Sequence, residues 1–159
     1  MGRFISLLLG YVFGNFLTAE VVSRRISGKS VFDIGTGNPG MANIVNQYGV
    51  KYGMMVLAGD LLKTFVPCLL CRMILFSDLE AIAAAYAGLG TVIGHNFPAW
   101  HRFRGGKGVA CTCAALVSIS FGYGLRYVLH RFLLQDEGRA SRDSATINGA
   151  ALHLPVLLG

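Results

Sequence analysis

The chain has 159 residues, of which 53% are hydrophobic and only 14% charged, with a formal net charge of +6. A mean hydropathy of +0.55 is too apolar for an ordinary soluble domain, and the length points to one membrane unit. The positive charge does not signal nucleic acid, because the basic residues sit in short loops between apolar runs, where membrane orientation accounts for them.

The first apolar run, Phe4 to Val22, has no convincing small-residue cleavage site and reads as a retained span. Asn15 and Glu20 interrupt it, so one face is expected to meet other helices and not lipid. Arg24, Arg25 and Lys29 follow, and then comes the glycine-rich stretch Gly35-Thr36-Gly37-Asn38-Pro39-Gly40-Met41-Ala42-Asn43. Asn38 and Pro39 read as the N-cap and first position of a short helix to Tyr48, with Gly49 placed to stop it. Glycines let amides turn toward a common point, and a helix N-terminus leaves donors unpaired, so such a place attracts phosphate. Thr36 and Asn43 add neutral hydrogen-bonding side chains. A plain Gly/Asn turn accounts for the same residues through backbone preference alone.

The second span, Gly53 to Phe76, is apolar except for Asp60, Lys63 and Arg72. Asp60 and Lys63 share a helix face and can pair, either as a structural ion pair or beside a substrate. Cys68 and Cys71, like Cys111 and Cys113, lie in apolar runs without ligand partners nearby, so they read as small packing residues and no metal site is expected. The acidic turn Ser77 to Glu80 leads to a third span, Ala81 to Phe97, whose Ala85, Ala87, Gly88 and Gly90 suit close helix packing.

A second polar segment runs from His95 to Gly108 and ends in Gly105-Gly106-Lys107-Gly108, which feeds a fourth span, Val109 to Leu125. Lys107 offers a point charge, and Arg102 and Arg104 offer guanidinium forks that match phosphate oxygens. A nucleotide P-loop is excluded, since the four-residue spacer and the Ser/Thr after the lysine are missing. The plain alternative is a basic loop that only holds its position at the headgroups. Both glycine-rich loops carry the basic excess and the turn between them is acidic, so both are expected on the cytoplasmic face, with the amino terminus outside.

Beyond the fourth span the pattern changes: Gln135 to Asp143 is polar and Ser144 to Gly159 only weakly apolar. The expected architecture is all-α: a polytopic membrane bundle of about four transmembrane helices over residues 1–130, with a divergent or truncated tail over 131–159.

The first glycine motif, Asp60 with Lys63, and Gly94-His95-Asn96-Phe97-Pro98 leading to Phe103-Arg104-Gly105-Gly106-Lys107-Gly108-Val109-Ala110 together resemble the bacterial acyl-phosphate:glycerol-3-phosphate acyltransferase family, over about residues 5 to 117. The resemblance implies a multi-pass enzyme of the bacterial cytoplasmic (inner) membrane that needs no cofactor. It would use acyl phosphate to acylate position 1 of glycerol 3-phosphate, giving lysophosphatidic acid and inorganic phosphate for phospholipid synthesis. Thr36 keeps the hydroxyl of a usual serine, whereas Ala42 lacks a usual hydroxyl and Asn46 stands where arginine is usual. The family's third motif is not found after Ser120, so the chain reads as truncated or shifted in frame beyond that point.

An acyl phosphate is a mixed anhydride with a good leaving group, so the expected task is to position two anions without a covalent nucleophile. Lys107 with Gly105, Gly106, Gly108 and Arg104 is expected to hold one phosphoryl group and stabilise its departure. Thr36, Gly37, Asn38 and Gly40 with Asn43 are expected to hold the other, and Asn96 joins the substrate-binding set through the resemblance. His95 is the candidate base, with a substrate phosphate as the alternative. Acyltransferases with His, four residues, then Asp are excluded: the fifth residue after His95 is Trp100, after His101 Gly106, and after His130 Gln135. The expected partners are the two substrates and the lipid bilayer, with no nucleic acid; a second copy of the chain stays open. Two rival readings are a non-catalytic truncated relative and a transporter subunit for phosphorylated metabolites, the latter suggested by Asp60 and Lys63.

Overall fold

A computed structural model describes residues 1–119 and shows only helices and turns among them. The helices are α1 (Gly2–Gly14), α2 (Thr18–Ser27), α3 (Met41–Tyr48), α4 (Val50–Leu70), α5 (Glu80–Asn96) and α6 (Val109–Ile119). The rest of the expected fourth span and the 131–159 tail lie outside the described residues.

The chain is a membrane-integral helix bundle. Gly2–Ser27 and Val50–Leu75 are each 26 residues long and apolar enough to cross a bilayer. Their outward side chains are apolar as well: Phe4, Leu8, Val12, Leu62, Leu69 and Ile74 are exposed, as are Ile82 and Leu89 on α5. Such faces suit hydrocarbon and not water.

With lipid outside, helices associate by close packing. Gly10 and Gly14 on α1 face Gly90 and Gly94 on α5, four residues apart on each helix. A Cβ on Gly10 would collide with the Ala87 carbonyl, and one on Gly90 with the Leu7 carbonyl. Only glycine lets these two backbones touch. Gly88 on the same helix receives Ala115 of α6, where an added Cβ would stand 2.6 Å from the alanine methyl.

Two expectations at the element ends need correction. The first span stands as one apolar crossing, but its helix is interrupted at Asn15–Leu17 between α1 and α2. The side chain of Asn15 leaves the helix pattern, donating to Tyr11 O at 2.6 Å and accepting from the Ala99 amide at 2.6 Å. The short helix α3 starts later than the Asn38-Pro39 signal implies. Gly40, in an extended conformation, is its N-cap, while Gly49 closes it as expected through its amide to Val45 O. Asn38 and Pro39 instead belong to the turn, in which Gly40 N reaches back to Asn38 O at 2.9 Å.

Pro67 lies inside α4 and lacks the amide that would bind the Lys63 carbonyl. Beyond it the helix widens over Cys71–Leu75, where Phe76 N bonds Cys71 O.

Candidate functional site

The first glycine-rich loop is hung from a buried carboxylate. Glu20, only 6% exposed, accepts from the Ser30 hydroxyl at 2.9 Å, the Val31 amide at 2.8 Å and Arg24 Nε at 2.6 Å. Further on, the buried Asn43 of α3 accepts from the Thr36 amide at 3.0 Å and donates to Ile34 O at 3.2 Å. Gly37 N bonds Ile34 O, Asn38 N reaches Thr36 Oγ1 at 3.4 Å, and Gly40 N bonds Asn38 O. The amides of Thr36, Gly37, Asn38 and Gly40 are therefore all engaged within the loop. Gly35 and Gly37 adopt positive φ of 52° and 68°, which this tight winding requires. What the loop offers a ligand is the exposed face of Thr36 and the half-buried Asn38 side chain.

The second loop is built on the end of α5. Tyr11 donates to Phe97 O at 3.0 Å, and Asn15 takes the Ala99 amide, so α1 fixes its entry. Arg102 and Phe103 then both adopt left-handed backbone, at φ 55° and 59°, a conformation that is costly for a bulky aromatic residue. The chain turns back until Gly106 N bonds His95 O at 3.0 Å. A Cβ on Gly105 would strike the His95 and Asn96 carbonyls, and one on Gly106 would strike His95 Nε2. Gly108, at φ 71°, is buried against Asn96 Oδ1. That oxygen is buried without a hydrogen-bond partner among the described residues. The Lys107 and Gly108 amides likewise have no acceptor among them, and Lys107 itself is exposed.

Beneath this loop lies a buried charged cluster where α2, α4, α5 and α6 converge. Lys63 Nζ stands 2.9 Å from Asp60 Oδ1, 2.8 Å from Phe16 O and 2.8 Å from His95 Nδ1. Asp60 also receives Thr18 Oγ1 at 3.3 Å, and its carbonyl takes Thr64 Oγ1 at 2.9 Å and Cys111 Sγ at 3.7 Å. The break between α1 and α2 is what frees the Phe16 carbonyl for Lys63. The ligand atoms of Asp60, His95 and Cys111 lie within 4.8 Å of one another, as in a metal site, but the Lys63 ammonium already touches two of those residues. Asp60 and Lys63 thus pair and are 4% and 6% exposed.

The two loops meet at one end of the bundle. The Phe32 ring lies 5.7 Å from the His101 ring, tilted by 44°, and Arg104 Cζ sits 5.5 Å from the Phe32 centroid. Beside this contact opens a cavity of about 460 Å³ whose lining includes Arg24, Phe32, Asp33, Trp100, Arg102 and Arg104. The meeting point lies upstream of each glycine turn: among the described residues, no hydrogen bond joins Thr36–Gly40 to Gly105–Gly108. Neither Phe32 nor His101 is among the expected site residues, since aromatic rings in loops carry no periodicity that marks them. Of the expected site residues, the structure gathers His95, Asn96, Gly105, Gly106, Lys107 and Gly108 at the α5–α6 junction. Arg104 turns toward Phe32, and Asn43 is spent on its own loop.

Residues 4–154 match the family model described as glycerol-3-phosphate acyltransferase, continuing past residue 117, where the motif resemblance stopped. A glycerol-3-phosphate acyltransferase 1 from Lactobacillus acidophilus is 40% identical over 134 residues, covering 84% of this chain and 64% of the relative. The crystal structure of PlsY (YgiH), an integral membrane glycerol 3-phosphate acyltransferase, in its glycerol 3-phosphate form superposes with a TM-score of 0.70 at 29% identity, covering 81% of this chain and 63% of that one. The lysophosphatidic acid form of the same protein superposes with a TM-score of 0.68, also at 29% identity, covering 81% and 62%. The chain therefore spans a little under two thirds of the length of these relatives.

Proposed function

The chain belongs to the glycerol-3-phosphate acyltransferase family, and from that premise we propose that it transfers an acyl group from acyl phosphate to position 1 of glycerol 3-phosphate. The glycerol hydroxyl oxygen bonds to the acyl carbon, the bond from that carbon to the phosphate oxygen breaks, and inorganic phosphate leaves. The hydroxyl proton passes to an acceptor at the site, and lysophosphatidic acid remains. No covalent enzyme intermediate is needed, because the mixed anhydride already carries its leaving group.

Both reactants are anionic, so the protein must hold like charges together at a surface that fatty acyl chains can reach. The observation that carries this reading is the contact of Phe32 with His101 and Arg104, which joins the two glycine-rich loops at one end of the bundle. Lys107, with the amides of Lys107 and Gly108 that meet no acceptor among the described residues, is suited to the departing phosphate. Asn96 Oδ1, buried without a donor among the described residues, is suited to a substrate hydroxyl. Thr36, Asn38 and the arginine-lined cavity provide polar contacts for the second anion. The basic excess in both loops favours the cytoplasmic face of the bacterial inner membrane.

The test is turnover by the purified chain in detergent or liposomes, with glycerol 3-phosphate and either acyl phosphate or an acyl thioester as donor. Lysophosphatidic acid from the acyl phosphate is expected, and a preference for the thioester would overturn the donor assignment.

A second reading, a relative that binds without turnover, is favoured by Ala42 and Asn46, two exposed positions where the family's usual hydroxyl and arginine are absent. Binding of glycerol 3-phosphate without product in the same assay would select it.

A further inference from the structure

The buried cluster beneath the second loop decides which nitrogen of His95 carries its proton. An ammonium has three protons and no lone pair. Lys63 Nζ has three neighbours within bonding reach, namely Asp60 Oδ1 at 2.9 Å, Phe16 O at 2.8 Å and His95 Nδ1 at 2.8 Å. Two of these can only accept. With Asp60 supplying the counter-charge and Lys63 6% exposed, a charged lysine that satisfies all three donors must give its last proton to His95 Nδ1. Nδ1 is then a lone pair, and the proton of the neutral imidazole sits on Nε2. A second proton on Nδ1 would set two donors of like charge against each other at 2.8 Å.

Nε2 lies directly under Gly106, where an added Cβ would overlap it, and it has no acceptor among the described residues. We infer that Lys63, held by Asp60 and the freed Phe16 carbonyl, is a positioning residue that locks His95 as a neutral Nε2–H donor facing the Gly106 turn, toward a ligand oxygen held by that loop. The inference rests on the acyl-transfer reading for the identity of that oxygen, which belongs to a phosphoryl or acyl group held by the Gly105–Gly108 loop. It gives His95 the role of donor and removes it as the base, because Nε2 already bears a proton and Nδ1 is blocked.

The experiment is nitrogen NMR of the full chain labelled with ¹⁵N-histidine in detergent, with the His95 signals assigned by their loss in His95→Gln. One protonated nitrogen, Nε2, and one unprotonated nitrogen, Nδ1, are expected without any substrate present. A dominant Nδ1–H form or a doubly protonated ring overturns the proposal. This readout needs no turnover, so it stands even if the purified chain transfers no acyl group, a result that would count against the functional reading alone. Lys63→Met supplies the second arm, where the two tautomers should mix and kcat should fall. An unchanged His95 spectrum in folded Lys63→Met protein overturns the lock. If that variant does not fold, the wild-type spectrum decides.

Discussion

Phe32 and His101, from two loops separated by α3, α4 and α5, face each other at 5.7 Å between ring centroids, with Arg104 laid over the same phenylalanine at 5.5 Å. An aromatic pair contributes about 0.5–1.5 kcal/mol beyond burial, and an exposed cation–π contact about 0.5–1 kcal/mol. Both are weak contacts between the loops. Phe32 also packs against the buried Val31–Ile44 cluster, so Phe32→Ala should lower the thermal midpoint and, in the folded protein, raise the KM for glycerol 3-phosphate more than it lowers kcat. Steady-state kinetics in detergent measure this, and unchanged kinetics would show that the loops act independently.

Gly106 packs its Cα face onto the His95 ring, so Gly106→Ala forces a methyl into an occupied space. Overpacking of this kind costs about 1–3 kcal/mol. The expected outcome is a lower thermal midpoint together with loss of turnover. Gly49→Ala is the contrast, since no atom lies within 4 Å of the added carbon, although its φ of 94° makes that substitution strained as well. Gly49→Ala should lower the midpoint but spare the activity that remains in folded protein.

Gly10 and Gly90 set the distance between α1 and α5. Gly10→Leu should separate the helices and destabilise the bundle by several times the effect of Leu8→Ala, because Leu8 is 52% exposed on the outer face. Thermal unfolding of both variants in one detergent provides the comparison.

Asp60 and Lys63 are both buried, and removing one partner from such a pair costs about 3–5 kcal/mol, because the other charge is stranded. Asp60→Leu alone should therefore be far less stable than Asp60→Leu combined with Lys63→Met. A double-mutant cycle by unfolding measures the coupling, and additive losses would mean that the 2.9 Å contact contributes nothing.

Much of this arrangement was legible in residue types. Charge bias marked both loops, Asp60 and Lys63 three residues apart announced their pairing, and small residues marked the packed face of α5. The break at Asn15 was not legible as a break, because it depends on an acceptor-hungry amide at Ala99, distant in sequence. Nor could composition show that Asn43 binds its own loop or that Gly105 and Gly106 are needed for approach to α5. A glycine that bares an amide and a glycine that admits a neighbour look the same in sequence. The third partner of Lys63, His95, lies on another helix, and helical spacing relates only residues of the same helix.

Lys107 is an exposed cation in a loop where the Lys107 and Gly108 amides meet no acceptor among the described residues. The deciding measurement is acyl-phosphate-dependent release of phosphate and lysophosphatidic acid by purified wild-type chain and by Lys107→Ala, after both show the same thermal midpoint. A loss of about 100-fold or more in kcat is expected, as for removal of a donor that stabilises a departing anion. Equal turnover by the two proteins contradicts the placement of the departing phosphate at this loop.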